Sequence, residues 1–330
     1  MIDRPAVELW SLRIFVEVAT TRSMTLAATR LGITQSAVSQ AIRKLEGELD
    51  SKLIVRGSRP VLLTAEGALL EVEAEPLLRG AARLPERVRS AKTGPMRDVR
   101  LGFVDTFAST AGPELVRALT QQAARVVVWS GLAPGLGAAL VAHDVDAIVT
   151  SDPLYDLDGL RRIALWKEPF VLLLPRTGDA NPARPSLERL AASMPLIRYS
   201  ARSHTGSQVE RHLRRLGISA ERRVEVDGSD ALLAMVAAGI GWAITTPLCI
   251  LQASAHLPGV LPLSLPPPGF NRTLSLVVRD DSPASLVEQL ASAAQGVLRE
   301  TCLPRLRQFT PAFTASIVVG EPASPQTETA

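Results

Sequence analysis

The sequence predicts two folds in one chain: an N-terminal winged helix-turn-helix, mainly α, followed by a larger α/β body of two subdomains. Three observations carry this prediction. Two short amphipathic segments joined through Gly32 lie within the first fifty residues. From Asp98 onward, apolar runs of strand length alternate with stretches of helical period, the mark of an α/β fold with mostly parallel sheets. The 330 residues are enough for two separate cores.

Charge is placed unevenly along the chain. Residues 22–59 contain seven Lys or Arg and three acidic residues, an excess larger than the net +3 of the whole protein. A local basic excess suits a phosphate-contacting module on a near-neutral body, although a solvated basic face would read the same from charge alone. The two cysteines, Cys249 and Cys302, have no metal or disulfide spacing, and the four histidines have none either, so no metal site and no cofactor are expected. The N-terminus lacks a basic segment followed by an apolar run, and no stretch is long and apolar enough to span a bilayer. The expectation is a cytoplasmic protein without a membrane partner.

Residues 7–19 have helical period, with Leu9, Leu12, Phe15, Val16 and Ala19 on one face. Ser23 or Thr25 caps a short second helix whose inner face is Ala27, Ala28 and Leu31, and Gly32 supplies the turn. Thr34 caps a third helix with Val38, Ile42, Leu45 and Leu49 at core spacing. Its opposite face carries Gln35, Ser36, Ser39, Gln40 and Arg43, side chains able to reach base edges and phosphates. Residues 52–63 read as a hairpin with its tip at Gly57–Pro60, and Thr64 caps a long helix to about Lys92. Pro76 and Pro85 predict kinks in that helix, or a break near Gly80.

The stretch from Leu9 to Gly67 resembles the DNA-binding domain of the LysR-type regulators. The matching features include Phe15, Ala19, Ser23, Ala27-Ala28, Leu31-Gly32, Gln35, Ala37-Val38-Ser39, Ile42, Leu45-Glu46, Arg56 and Leu63-Thr64. Departures are Arg22 and Asp50 where glycine is common, Ser36 where proline is common and Ile54 where phenylalanine is common. The resemblance implies that residues 1–64 bind double-stranded DNA, with Thr34, Gln35, Ser36, Ser39, Gln40 and Arg43 on the reading helix and Arg56 and Arg59 on the wing. It implies that residues 65–93 pair with a second copy, giving a homodimer or homotetramer, and that RNA polymerase is a further partner.

In the body, strands are predicted at Val99–Val104, Arg125–Trp129, Ala147–Val149, Phe170–Leu174, Pro195–Tyr199, Val224–Val226 and Thr273–Val278. Helices fall between them, and a final one starts at Ser282-Pro283. This part is similar to the LysR-type effector domain, through Leu101-Gly102-Phe103, Asp146-Ala147, Glu168-Pro169-Phe170 and Val236–Gly241. The resemblance implies a periplasmic-binding-protein-like domain over 94–303, with subdomain I at about 97–175 and 274–303 and subdomain II at about 176–273. Residues 304–330 are expected to form a flexible tail.

Ligands of such folds sit beyond the carboxyl ends of strands, near helix N-termini. The loops meeting that rule contain Thr106, Phe107, Ser109, Ser130, Ser203, His204 and Thr245, with Arg198, Arg202 or His204 as a counter-charge. Hydroxyls and free N–H groups suit a small, anionic effector, whereas the same Ser and Thr residues could serve only as helix caps. No dinucleotide fingerprint, phosphate loop or nucleophile elbow is present, so no enzyme is expected. A DNA-binding architectural protein that needs no effector stays open as the alternative.

Overall fold

The computed structural model describes residues 7–55, 57–90, 98–176 and 186–320. The chain forms two compact units, the first built from the N-terminal 92 residues.

In the first unit, α1 (Leu9–Thr21), α2 (Met24–Leu31) and α3 (Gln35–Glu48) pack around Phe15, Val18, Ala27, Val38, Ile42 and Leu45. Ser23 and Thr34 cap α2 and α3 by accepting from Leu26 N and Ala37 N, the capping bonds that hydroxyl residues at these positions supply. Gly32 closes α2 at φ 67°, a left-handed conformation that glycine takes without a Cβ clash. The α1 face differs from the expected one: Leu9 is exposed, and Ile14 and Val18 take the buried places. The wing is the pair β1 (Ile54–Val55) and β2 (Leu62–Leu63), antiparallel. Thr64 accepts from Gly67 N and opens α4 (Ala65–Ser90), which runs through Pro76 and Pro85 as one assigned helix, so no break occurs at Gly80. Ala74 anchors α4 in the core, while Leu69, Val72, Leu77, Leu84 and Val88 are exposed along it.

The second unit begins with β3 (Asp98–Phe103), α5 (Asp105–Thr110), α6 (Gly112–Thr120), β4 (Arg125–Ser130), α7 (Ala133–Val141), β5 (Ala147–Thr150) and β6 (Leu160–Pro169). There follow β7 (Val171–Pro175), α8 (Leu187–Ser193), β8 (Ile197–Tyr199), α9 (His204–Arg215), β9 (Val224–Val226), α10 (Ser229–Ala237), β10 (Ala243–Thr245), α11 (Pro247–Gln252) and β11 (Val260–Ser264). The chain returns through β12 (Asn271–Arg279) and ends in α12 (Ala284–Val297), α13 (Leu303–Phe309), α14 (Pro311–Thr314) and β13 (Val318–Val319).

Subdomain I is a six-stranded sheet in the order β13-β6-β12-β5-β3-β4. Its β3 pairs in parallel with β4 and β5, but β12 is antiparallel to both β5 and β6, so the sheet is mixed rather than mostly parallel. The reason is topological: β6 carries the chain out to subdomain II and β12 carries it back. Subdomain II holds the antiparallel sheet β10-β7-β11 and the parallel pair β8-β9. Strand β7 therefore belongs to subdomain II, and the crossover lies at Pro169/Phe170 and Phe270/Asn271, where the two phenylalanine rings stack at 4.0 Å.

The C-terminal segment is not a free tail as far as residue 320. Leu306 of α13 is buried in the subdomain I core, Phe313 of α14 in the subdomain II core, and β13 pairs with the edge of β6. Pro311 sits in the first turn of α14, after the non-helical Thr310, where proline costs no hydrogen bond. Residues 321–330 lie outside the described residues.

Candidate nucleic-acid interface and effector cleft

In the first unit, the N-caps fix α2 and α3, and Val38, Ile42 and Leu45 turn one face of α3 into the core. The opposite face is then exposed as a consequence of the 3.6-residue period. Gln35, Ser39 and Arg43 open onto a groove of about 800 Å³ whose other wall is the wing, with Arg59 among its lining residues. Thr34, Ser36 and Gln40 are exposed on the same helix but do not line this groove, and the Thr34 and Ser36 hydroxyls bond to each other at 2.9 Å. Arg56 lies outside the described residues.

The wing is held by Glu46, which is buried at the end of α3 and accepts from Leu53 N at 3.0 Å and Lys52 Nζ at 3.1 Å. Burial alone would raise its carboxyl pKa, but the Leu53 N–H and Lys52 outweigh it and hold the group below the usual glutamate value.

Arg22, not predicted as a site residue, lines the same groove. It caps α1 at φ 53°, the left-handed conformation that explains why glycine is common there, and its carbonyl accepts from Val61 N of the wing at 2.8 Å. Asp50, the other position where glycine is common, also has positive φ, 47°. The signal in the sequence was the departure from glycine itself.

In the body, the carboxyl ends of β3, β4 and β5 face subdomain II across a crevice. A cavity of about 60 Å³ there is lined by Thr106, Ser203 and His204. Ser203 caps α9, accepting from Gly206 N at 2.9 Å and donating to Ser200 O at 3.0 Å. The Thr106 hydroxyl is 3.7 Å from Cys249 Sγ. His204 Nδ1 lies 3.5 Å from Asp152 Oδ2. Burial, with Arg211 and Arg272 nearby, outweighs Asp152 and holds the His204 ring below the usual histidine pKa.

The structure corrects five of the predicted ligand residues. Phe107 is buried in the subdomain I core, edge-on to Phe103 at 5.0 Å, because it lies on the inner face of α5. Ser109, one turn after Asp105, is exposed and bonds to the Asp105 carbonyl. Ser130 is exposed at the end of β4 and does not line the cavity. Thr245 is fully buried, its hydroxyl bonded to Tyr199 Oη at 2.7 Å. Arg198 turns away from the crevice and pairs with Glu210 and the Ala220 carbonyl.

Arg272 lines the cavity and went unpredicted, as did Tyr199, Ser229 and Cys249. Arg272 and Glu168 are both almost completely buried at the crossover. Arg272 Nε donates to Glu168 Oε1 at 3.0 Å, and Leu248 N donates to Oε2 at 2.8 Å. Burial raises the Cys249 thiol, but the Arg272 charge together with hydrogen bonding by Ser229 and Thr246 outweighs it and leaves the thiol below its usual value. The ion pair joins residues over a hundred positions apart, and periodicity carries no signal for such a contact.

These features define a class: a winged helix-turn-helix joined to a two-subdomain α/β binding body. Two family models cover most of the chain, "Bacterial regulatory helix-turn-helix protein, lysR family" over residues 9–68 and "LysR substrate binding domain" over 92–299. The chain belongs to the LysR family of transcriptional regulators and is not an enzyme. Among curated relatives, a probable hydrogen peroxide-inducible genes activator of Mycobacterium avium is 27% identical over 276 residues, 82% of this chain and 88% of that protein. The regulator TtuA of Agrobacterium vitis is 30% identical over 247 residues, 72% and 80% of the two chains. Among solved structures, CbnR in complex with its target DNA aligns at TM-score 0.60 and 20% identity, over 88% of this chain and all of that one. Full-length OxyR of Pseudomonas aeruginosa, a variant form, aligns at 0.60 and 22%, over 89% and 97%. Among the described residues no helix is long and apolar enough to cross a membrane.

Proposed function

We propose that this regulator reads operator DNA in the cytoplasm with Gln35, Ser39, Gln40 and Arg43 of α3, supported by Thr34, Ser36 and the wing arginines Arg56 and Arg59. The observation that carries it is the groove shared by Gln35, Ser39, Arg43 and Arg59, which presents base-reading and phosphate-binding side chains on one surface. A small anion bound between the two subdomains is the switch, supported by the Thr106 and Ser203 hydroxyls, His204 and the Arg272 guanidinium around one cavity. The ligand acts by binding one arrangement of the subdomains better than another, and a coupling of about 1–3 kcal/mol is enough. RNA polymerase is the proposed downstream partner. In operator-binding titrations, Thr106→Ala should abolish the effector response and leave basal DNA binding intact. An unaltered response in both Thr106→Ala and Ser203→Ala would remove this cavity as the sensor.

A second copy completes the operator-binding unit. Support comes from the row Leu69, Val72, Leu77, Leu84 and Val88, large apolar side chains each more than half exposed along α4. Light scattering should report a dimer or tetramer at micromolar concentration. A monomer that still binds the full operator would refute pairing through α4.

A further inference from the structure

The inner cavity, at about 60 Å³, has room for roughly two waters. Small-molecule sites are commonly about 300–1,000 Å³, so only a group of a few heavy atoms fits here. The crevice does not stop there. Ser151 and His204 line both this cavity and a groove of about 780 Å³. One wall of the groove is built from β6 and β12 of subdomain I, the other from α9 of subdomain II. Strand β12 shows Arg272 to the inner cavity and Asn271 and Thr273 to the groove, as the alternation of a strand requires.

The groove has unused positive charge. Lys167 of β6 and Arg211 of α9 are both exposed and line it from its two walls. Neither side chain has an ion-pair partner among the described residues. Of the acids, Asp152 is engaged by His204 and by Leu154 N at 3.0 Å, which leaves Asp156. The third cation, Arg162, is used by the carbonyls of Pro153, Leu154, Leu157 and Leu160. His204 stands between the two spaces with Arg272 on the inner side, and burial holds its ring below the usual histidine pKa. Arg211 lies seven residues beyond His204 on the same face of α9, roughly 10 Å along the helix at 1.5 Å per residue.

We propose that the crevice takes an elongated organic dianion, one acid group in the inner cavity beside Arg272 and Thr106, the other held between Lys167 and Arg211. This rests on the reading of the crevice as the effector site. Thr106, Arg272 and Lys167 belong to subdomain I, whereas Arg211, and Ser203 and His204 at the inner cavity, belong to subdomain II, so such a ligand favours the one arrangement in which both sets of contacts are made.

The test is calorimetric titration of the full-length protein with acetate and with the dicarboxylates succinate, adipate and suberate. Affinity is expected to rise with chain length, suberate binding about tenfold or more tighter than acetate, the gain of one further charge-assisted contact. Lys167→Ala and Arg211→Ala should remove that gain and leave acetate binding unchanged, and Lys167→Arg should restore it. Thr106→Ala should weaken both ligands. If acetate binds in a Thr106-dependent way but suberate binds no tighter, or binds the Lys167 and Arg211 variants as it binds wild type, the dianion proposal falls and the effector crevice stands. If neither acid binds, both fall.

Discussion

Replacing Arg272 with methionine is expected to destabilise the body by about 3–5 kcal/mol, because it leaves the Glu168 carboxylate buried without its counter-charge. Glu168 would keep the Leu248 N–H as a donor, but one neutral hydrogen bond does not replace a guanidinium beside a buried carboxylate. The double variant Glu168→Gln with Arg272→Met removes both charges and should recover most of the loss, since a buried pair gains little over an apolar replacement. Urea denaturation of the full chain measures both variants. A loss under about 1 kcal/mol in the single variant would mean that water or another group solvates Glu168. The position of the pair gives it further weight: it ties β6 to β12 where the chain crosses between subdomains, and Glu168 also holds the start of α11.

Gln35→Ala and Arg43→Ala should each weaken operator binding by about 1–3 kcal/mol and relax specificity at the base they contact. Both together leaving affinity unchanged would exclude α3 as the reading helix. Arg22→Gly separates two effects at one residue. Removing a side chain from the left-handed conformation at φ 53° should stabilise the domain by about 1 kcal/mol. The same change takes a cation out of the groove, so DNA binding should weaken evenly across sequences, with the salt dependence shallower by about one ion. Higher stability with unchanged DNA affinity would assign Arg22 a structural role only. Its pairing with Glu71 is long, at 4.0 Å, and only partly buried, which leaves the guanidinium available to a phosphate.

The N-terminal unit was legible in the sequence almost residue by residue. Its caps, its glycine turn and the core face of α3 are local patterns, and each one is set by neighbours within a few positions. The body was legible as a class but not in its joints. Strand β6 escaped because its ten residues mix Arg, Lys and Glu with apolar ones, and a bulge of β6 at Leu165, opposite Leu274/Ser275, breaks the alternation. The helices α5 and α11 are six residues each, too short for a period to show. Of the predicted ligand residues, those at loop starts, Thr106, Ser203 and His204, reach the cavity, whereas Thr245 and Arg198 find partners of their own inside subdomain II.

By itself the sequence determined the elements that depend on local rules: the caps of α2 and α3, the core face of α3, and the alternation of strands and helices in the body. From these followed the winged helix-turn-helix, the α/β body and the family to which both belong. Only the tertiary structure decided which polar groups meet across long separations: Arg272 with Glu168, Tyr199 with Thr245, His204 with Asp152, and the C-terminal helices with both subdomain cores. The physical reason is that a helix or strand is selected by the period of its own side chains, whereas a buried charge is tolerated only where packing brings it a partner, and the position of that partner is a property of the whole fold.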